Sequence, residues 1–399
     1  MTPSDAAPHD VAGAALSRDP GDTGKQAGLF AQPCRTADTL SSNLEVEPDQ
    51  GCAPSSNATQ SRMEEEPAGL RPGSTPLRIL AVTNMYPTPA EPWFGSFVKD
   101  QIDALRRLGV SIDVFHFDGR RDWRTYGYAA RTVRRLVGQS HFDVLHAHYG
   151  LTGAVALCQR TVPVVTTFHG SDSAQVPWQR RVSWFVARRS TPIFVGAENA
   201  KRLGLPHALV LPAGVDTALF RPTDRVSARA ALGWKQDRVY VLLPGARSNP
   251  IKRADLFDRA VALVRRRLPE VRGVSLEGYS RQDVVRVMNA VDVVLLTSDW
   301  EGSSVAVKEA LACTTPVVSV PVGDVPEVLA ELPGCGVVPR DPRALAEAVL
   351  NAVAVRDEAL RRRALDFSYE RVAMKILDVY HCVQPGLGRS RPSAPDESE

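Results

Sequence analysis

Two glutamates eight positions apart mark the stretch of this sequence whose residue types could do chemistry. Glu301 follows a largely apolar run at 292–298 and precedes three small residues at 302–304, and Glu309 lies in the apolar segment after them. A second apolar run follows at 316–320. Strand, small-residue turn, helix and strand in this order predict a βαβ unit of a parallel sheet. Glu301 would then lie at the helix N-terminus, where backbone amides are free to bind an anion.

The elements that must position these glutamates alternate between strand and helix along most of the chain. Strands are predicted at 77–83, 111–117, 143–149, 163–170, 191–196, 208–216, 239–245, 271–278, 292–298, 316–320 and 336–339. The longer helices are predicted at 97–109, 123–137, 178–189, 254–268, 280–290, 343–355 and 361–383. This alternation predicts an α/β fold in which two Rossmann-like domains, each built on a parallel sheet, face each other across a cleft.

The domain boundaries follow from composition and from turn-forming residues. Residues 1–75 and 385–399 are rich in Pro, Gly and Ser and lack helical or strand periodicity, which predicts disordered tails. Turn-forming residues place the interdomain boundary near residue 216. The predicted order is a tail at 1–75, an N-terminal domain at 76–215, a C-terminal domain at 216–365, a helix at 366–384 that packs back on the N-terminal domain, and a second tail at 385–399.

Charge and composition limit the kinds of ligand and the cellular compartment that suit this protein. The net charge of +3 conceals 11 acids against 5 bases in residues 1–75, which leaves the rest of the chain at +9. A basic body suits an anionic ligand or an acidic membrane surface, and it is equally compatible with solubility alone. The chain has no apolar run of about 18 residues, so no membrane-spanning helix is predicted. Six scattered cysteines and the lack of a secretory signal predict a cytosolic protein with reduced thiols.

Four motifs together resemble one family, the retaining GT-B glycosyltransferases of family 4, which use nucleotide-sugar donors. They are Glu301-x7-Glu309 with its EALACTTPVVS continuation, TFHGSD at 167–172, LPAGVDTALFRP at 211–222 and GARSNPIKR at 245–253. Their order and spacing match, and the resemblance covers roughly residues 77–380. A lone Glu-x7-Glu would be weak evidence, whereas four motifs in register on two α/β halves are specific.

The resemblance implies a role for two cations beside the donor diphosphate. Arg247 and Lys252 would neutralise the diphosphate and the negative charge that grows on the leaving group. The chain has Ile-Lys-Arg where the family usually has Lys-Gly, so either Lys252 or Arg253 is the inward cation. The alternative interpretation of Arg247 and Lys252 is a pair of solvated surface cations.

The resemblance also implies that the two glutamates and the helix N-terminus hold the donor's sugars. Glu309 would accept hydrogen bonds from the ribose hydroxyls, and Glu301 would contact the transferred sugar or stabilise positive charge at its anomeric carbon. The alternatives are a helix-face salt bridge for Glu309 and a favourable acid at a helix N-terminus for Glu301. The donor would also contact the backbone at Gly302, Ser303, Ser304 and Val305.

Further implied site residues lie in loops that follow strands of the N-terminal domain. His169 would contact the donor sugar and the reaction centre, with Asp172 as a weaker companion. Gly95 would let the acceptor or the diphosphate approach the backbone, and it is equally well explained as an ordinary turn glycine. At least one of His146 and His148 is interpreted as a core or loop residue, and neither is assigned to the site.

The sequence departs from the family pattern in two places. Gly323, a weaker donor-site candidate, is followed by Asp324 where the family usually has a second glycine. About 48 residues separate Lys252 from Glu301, which is too few for the additional strand and helix of a typical member. The C-terminal domain is therefore predicted to be shorter by one β–α unit, in a region that helps to form the nucleobase pocket in relatives.

Two basic segments with interleaved aromatic residues, at 120–135 and 178–189, allow two interpretations. Such a helix face can lie on anionic lipid, and it can equally be a solvated face above packed aromatic rings. No motif indicates binding of nucleic acid.

Together with the resemblance, these observations predict a metal-independent hexosyltransferase without a cofactor, its nucleotide-sugar donor being a co-substrate. The resemblance implies that the reaction retains the anomeric configuration. The donor would lie mainly in the C-terminal domain and a glycan, lipid-linked or small-molecule acceptor against the N-terminal one. The expected location is the cytoplasm, with or without peripheral contact with the inner face of the membrane. The alternatives are a sugar-nucleotide epimerase or phosphorylase on the same fold and a non-catalytic nucleotide-sugar-binding protein.

Overall fold

The computed structural model describes residues 76–91, 94–120, 122–171 and 176–384. The predicted tails at 1–75 and 385–399 lie outside the described residues, as does Asp172. Within the described part, strands and helices alternate as the sequence predicts and form two parallel sheets.

The first sheet has six parallel strands in the order β2-β1-β3-β4-β5-β6. They are β1 (Arg78–Thr83), β2 (Ser111–His116), β3 (Val144–His148), β4 (Val164–Phe168), β5 (Thr191–Phe194) and β6 (Leu209–Val210). The described helices of this half are α1 (Ser96–Arg107), α2 (Arg124–Gln139), α3 (Gly150–Ala156), α4 (Pro177–Ala187) and α5 (Ala197–Arg202). Every residue of β3 and β4 is buried, because helices cover both faces of the sheet.

The second sheet has five parallel strands in the order β11-β10-β9-β7-β8. Its elements in chain order are α6 (Arg225–Ala231), β7 (Val239–Leu243), a 3-10 turn at Pro250–Lys252, α7 (Ala254–Arg265), β8 (Val271–Ser275), α8 (Arg281–Ala290), β9 (Val293–Leu296), α9 (Val305–Ala312), β10 (Val317–Ser319), α10 (Val325–Leu329), β11 (Gly336–Val337), α11 (Pro342–Ala352) and α12 (Glu358–Leu365). The chain passes from β8 to α8 through five residues, so this half lacks the extra strand and helix, as the short spacing predicts.

The last described helix, α13 (Tyr369–Val383), packs against α1 of the first half. Tyr369, Ile376 and Tyr380 of α13 are buried in one apolar cluster with Ile102 and Leu105 of α1. Burying the aliphatic side chains of Ile102, Leu105 and Ile376 contributes about 1.5–3 kcal/mol each. Helix α13 therefore covers the half of the molecule that contains β1.

Two predicted elements differ from the structure for one shared reason. The strand predicted at 208–216 is only Leu209–Val210, and the helix predicted at 361–383 divides between α12 and α13. The Val215 amide donates to the Phe367 carbonyl at 2.9 Å, and the Tyr369 amide donates to the Val215 carbonyl at 3.1 Å. The interdomain loop therefore pairs with the gap between the last two helices, and Ser368 caps α13 by accepting from the Arg371 amide.

Candidate functional site

The carboxyl-terminal edges of the two sheets touch at a pair of glycines. A Cβ placed on Gly302, after β9, would lie 2.5 Å from the carbonyl oxygen of His169, after β4. A Cβ on Gly196, after β5, would lie 2.7 Å from the carbonyl oxygen of Gly302. Any larger residue at either position would force the two edges apart. The loops after β4, β5 and β9 thus meet at the edge where open α/β sheets bind ligands.

Lys252 and Glu301 form an ion pair beside this contact. The Lys252 ammonium lies 2.7 Å from Glu301 Oε1, and the same oxygen accepts from the Ser298 hydroxyl at 2.7 Å. The exposed fractions of the two charged side chains are only 20% and 14%. The Thr297 hydroxyl donates to the Lys252 carbonyl at 2.8 Å, which ties the 3-10 turn to the end of β9. The sequence motifs at 245–253 and 301–309 are therefore brought together in space.

The other two candidate cations point elsewhere. The exposed Arg247 side chain pairs with Asp258 of α7, and the structure does not bring it to the Lys252–Glu301 pair. Arg253 has φ 52 and pairs with Asp255 and with Asp299 at 2.9 Å. Of the two alternatives that the Ile-Lys-Arg sequence leaves open, Lys252 is the one that contacts Glu301.

Glu309 lies on α9 and is almost completely buried. Burial raises the pKa of its carboxyl to about 7, and the nearby Asp100 and Asp216 act in the same direction. Arg281, whose Nη1 lies 3.5 Å from Glu309 Oε1, opposes this rise. Sequence reasoning missed Arg281 and Asp100, because nothing in their local sequence indicates that two residues so far apart approach the same glutamate.

The half-buried His169 contacts a pair of buried histidines, His146 and His148. Its Nε2 lies 3.2 Å from Nδ1 of His148, and its ring packs edge-on against Phe97 with centroids 5.0 Å apart. His146 stacks on His148 and contacts the Tyr380 hydroxyl at 2.6 Å. Burial lowers the pKa of all three imidazoles, to about 3 for His148. His169 is therefore neutral at pH 7, and it can exchange hydrogen bonds with a ligand but cannot supply a positive charge.

A second buried ion pair fixes the N-terminus of α9. The fully buried Lys308 ammonium lies 2.7 Å from Asp324 Oδ2 and 2.6 Å from the Ser303 hydroxyl. Ser303 also accepts from the Ala213 amide of the first half at 2.9 Å, and the Ser304 amide lies 3.3 Å from Asp324 Oδ1. Asp324 stands where the family usually has a second glycine, and its carboxylate holds the turn at 302–304. Lys308 was missed by sequence reasoning, although a lysine inside an apolar helix is itself a signal for a buried partner.

The remaining candidate backbone positions are close-packed. Gly323 has φ 53, and a Cβ there would lie 2.9 Å from the carbonyl oxygens of both Glu301 and Gly302. Gly95 precedes α1 with φ 74, and its Cβ would lie 2.4–2.6 Å from the backbone of Met85 and Tyr86. Both positions require glycine for conformation and for space. Val305 is the first residue of α9.

Two features are absent from the part of the chain that the structure describes. In that part of the chain, no group of three or more His, Cys, Asp or Glu side chains could hold a metal ion. No helix in the same part is long and apolar enough to cross a membrane.

Comparison with known proteins identifies two family models and a set of relatives. The model described as Glycosyltransferase Family 4 matches residues 94–219, and that described as Glycosyl transferases group 1 matches residues 255–354. A D-inositol 3-phosphate glycosyltransferase of Saccharomonospora viridis is 31% identical over 303 residues, 60% of this chain and 70% of that protein. The protein of the same name from Mycolicibacterium gilvum is 27% identical over 80% of this chain and 92% of its own length. The chain spans half the length of the Mycobacterium marinum relative, at 31% identity over 47% of this chain.

Solved structures share the fold at lower identity. Sucrose-phosphate synthase from Thermosynechococcus elongatus superposes with a TM-score of 0.64 at 19% identity, over 76% of this chain and 98% of that one. HepE from Anabaena in complex with UDP gives 0.57 at 16% identity, over 76% of this chain and 99% of that one. Both likenesses show the fold, two Rossmann-like domains of the GT-B type.

Proposed function

The chain belongs to glycosyltransferase family 4, and from that premise we propose that it moves a hexose-type sugar from a nucleoside-diphosphate donor to an acceptor hydroxyl with retention at the anomeric carbon. One observation carries the proposal. The Lys252–Glu301 pair lies at the turn after β9, and the buried Glu309 lies on α9, the helix that follows this turn. Gly302 of the same turn touches the backbone of His169 across the cleft.

The donor would bind along this turn with its diphosphate at Lys252 and its ribose at Glu309. Lys252 is partly desolvated and already positioned, so its hydrogen bonds to a phosphate oxygen would be strong. Arg247 would have to leave Asp258 to contact the same group, and we therefore assign the larger share of the phosphate charge to Lys252. Glu309 would accept from the ribose hydroxyls when it is ionised.

The reaction we propose occurs on one face of the transferred sugar. The bond between the anomeric carbon and the diphosphate oxygen breaks, and the acceptor oxygen bonds to that carbon from the same side. The proton of the acceptor hydroxyl passes to an oxygen of the departing phosphate. Lys252 stabilises the negative charge on the diphosphate, Glu301 stabilises the positive charge on the sugar, and neutral His169 orients a sugar hydroxyl. Because Lys252 supplies the positive charge, metal independence is part of the proposal.

The acceptor supplies the hydroxyl group that bonds to the anomeric carbon. The relatives named D-inositol 3-phosphate glycosyltransferase make a phosphorylated polyol the first small-molecule acceptor to test. Glycan and lipid-linked acceptors are the alternatives. A lipid-linked acceptor would require contact with a membrane, and one surface of the first half has a composition suited to that contact.

That surface consists of α2 and α4 with their flanking residues, and we call it the arginine–aromatic surface. Residues 123–139 and 177–189 contain no Asp or Glu, and α3 packs against both helices. The exposed arginines are Arg124, Arg131, Arg134, Arg135, Arg180, Arg181, Arg188 and Arg189, and the exposed aromatic residues are Trp123, Tyr128, Trp178, Trp184 and Phe185. Arginine and tryptophan together favour the interface of an anionic bilayer, so peripheral membrane contact belongs to the proposal.

A thermal-shift panel of UDP-glucose, GDP-glucose and ADP-glucose tests the donor site. A ligand that binds only the folded protein at a hundredfold excess over its Kd stabilises it by about 2.7 kcal/mol. We expect one of the three to raise Tm, and we expect Glu309→Gln to reduce that rise because the amide lacks the second acceptor oxygen. If none of the three nucleotides raises Tm, the donor-site proposal fails.

The alternative functions give different products. A sugar-nucleotide epimerase would alter the sugar without releasing nucleoside diphosphate, and a phosphorylase would require inorganic phosphate. A non-catalytic binding protein would show the Tm rise without turnover. Transfer predicts free nucleoside diphosphate only when an acceptor is present.

A further inference from the structure

Arg281 lies between two carboxylates that belong to opposite halves of the molecule. It is the first residue of α8, and its Nη2 lies 2.6 Å from Asp100 Oδ2 in α1. Its Nη1 lies 3.5 Å from Glu309 Oε1 in α9, and its guanidinium lies 5.4 Å from the centroid of the Phe220 ring. A planar guanidinium can serve two carboxylates at once because its donors form a fork. One side chain thus joins a helix of the first half to the proposed ribose carboxylate.

The charges around Glu309 make its ionisation depend on the contact with Arg281. Burial raises the pKa of Glu309 to about 7, Asp100 and Asp216 raise it too, and Arg281 is the group that lowers it. The other titratable groups that face Glu309 are the Tyr369 hydroxyl at the start of α13 and the Cys313 thiol at the end of α9. Without Arg281 the carboxylate would face only groups that favour its protonated form. Arg281 therefore decides how much of Glu309 is ionised near neutral pH.

The competing explanation is that Arg281 forms an ordinary surface salt bridge. The two carboxylates that Arg281 contacts differ, however, in how deeply they are buried. The Arg281 and Asp100 side chains are 36% and 22% exposed, and such a pair contributes only about 0–1 kcal/mol. The Glu309 side chain is 7% exposed. A buried carboxylate needs a partner or else takes up a proton. The effect of Arg281 should therefore be found in the ionisation of Glu309 and not in global stability.

We propose that Arg281 is a positioning residue that keeps Glu309 ionised for the donor ribose while its second arm holds α1 of the first half against the site. The proposal rests on the proposed binding of ribose by Glu309. Donor recognition and the approach of α1 then share one side chain. Loss of Arg281 protonates the ribose acceptor, whereas loss of Asp100 leaves that acceptor ionised and releases α1.

The two arms predict pKa shifts of opposite sign. Arg281→Gln removes the positive charge, so the pKa of Glu309 should rise. Asp100→Asn removes a negative charge and leaves Arg281 to Glu309 alone, so the pKa should fall. Infrared difference spectra between about pH 5.5 and about pH 9 report the carboxyl titration without any ligand, and Glu309→Gln identifies its band. If Arg281 and Asp100 had only structural roles, replacing them would not move the titration midpoint of Glu309 in opposite directions.

Donor binding supplies the functional readout. The Kd for the nucleotide-glucose selected by the thermal-shift panel is measured by calorimetry over the same pH range. A midpoint raised by about one pH unit lowers the ionised fraction at pH 7 roughly fivefold, so Arg281→Gln should weaken binding roughly fivefold there and recover at about pH 9. Arg281→Lys retains one positive charge and should lie between Arg281→Gln and the unmodified protein.

Matched controls lie on the same two helices. Arg286→Gln breaks the Arg286–Asp283 pair of α8, and Asp103→Asn breaks the Asp103 pair with Lys99 in α1. Neither residue contacts Glu309, so both variants should leave the infrared midpoint unchanged. Shifts of the same sign in Arg281→Gln and Asp100→Asn, or no shift in either, would overturn the proposal. Unchanged nucleotide binding in Glu309→Gln would instead overturn the ribose assignment and leave the infrared result standing.

Discussion

At the scale of single residues, the proposed chemistry depends most on Lys252. Its ammonium is held 2.7 Å from Glu301 before any donor arrives, so no side chain needs to be ordered when the diphosphate binds. Preorganised charge of this kind acts on the transition state without a cost of reorganisation. The sequence alone left Lys252 and Arg253 as alternatives, because two adjacent cations differ only in where the backbone directs them. The φ of 52 at Arg253 and its pairs with Asp255 and Asp299 are properties of the folded chain.

Replacing each of these cations by alanine tests that assignment. Lys252→Ala should lower kcat roughly a hundredfold or more, because one charged group that stabilises the leaving diphosphate is lost. Arg253→Ala is the matched control and should retain most of its activity, since Arg253 pairs with two exposed carboxylates outside the Lys252–Glu301 contact. Initial rates of nucleoside diphosphate release measure both variants. Full activity in Lys252→Ala, or a greater loss in Arg253→Ala, would reverse the assignment.

At the scale of elements, most helices and strands follow from hydrophobic periodicity. The exceptions arise where one segment pairs with a distant one. The loop through Val215 forms backbone hydrogen bonds with Phe367 and Tyr369, which shortens β6 and separates α12 from α13. Pro212, Gly214 and the capping Ser368 are local signals for such interruptions, but local sequence does not predict that the two segments pair with each other. The Lys308–Asp324 pair is a similar case, because each residue looks exceptional by itself and only the fold shows that they are partners.

The arginine–aromatic surface of α2 and α4 gives a prediction at this scale. Arg180→Gln combined with Arg181→Gln should weaken co-sedimentation with vesicles of phosphatidylserine and phosphatidylcholine. Each arginine near an anionic surface contributes about 1 kcal/mol, so the double variant should bind roughly thirtyfold more weakly. Binding should also fall at high salt and with vesicles of phosphatidylcholine alone.

The control for this experiment lies in the second half of the molecule. Arg266→Gln combined with Arg267→Gln removes the same charge from exposed positions after α7 and should leave vesicle binding nearly unchanged. Equal losses of vesicle binding in the two double variants would show that binding depends on net charge alone and not on this surface. Absence of vesicle binding by the unmodified protein at low salt would contradict the membrane proposal.

At the scale of the whole molecule, the sequence predicts two Rossmann-like halves and a cleft, and it identifies most of the candidate residues in it. It does not predict how closely the halves approach. The contact of Gly302 with the His169 carbonyl and the 2.6 Å pair between Arg281 and Asp100 each join residues more than a hundred positions apart. Such contacts depend on the relative placement of two sheets, which periodicity and motif spacing do not encode.

Glycosyl transfer within this cleft is best tested by the products formed with and without an acceptor. Phosphorus NMR follows the nucleoside diphosphate released from the donor that the thermal-shift panel selects, first with inositol phosphate and then with glycan and lipid-linked acceptors. Proton NMR reads the anomeric configuration of the product. We predict release that depends on an acceptor and a product with the configuration of the donor. Release at the same rate without any acceptor, or a product of inverted configuration, would contradict the proposed transfer.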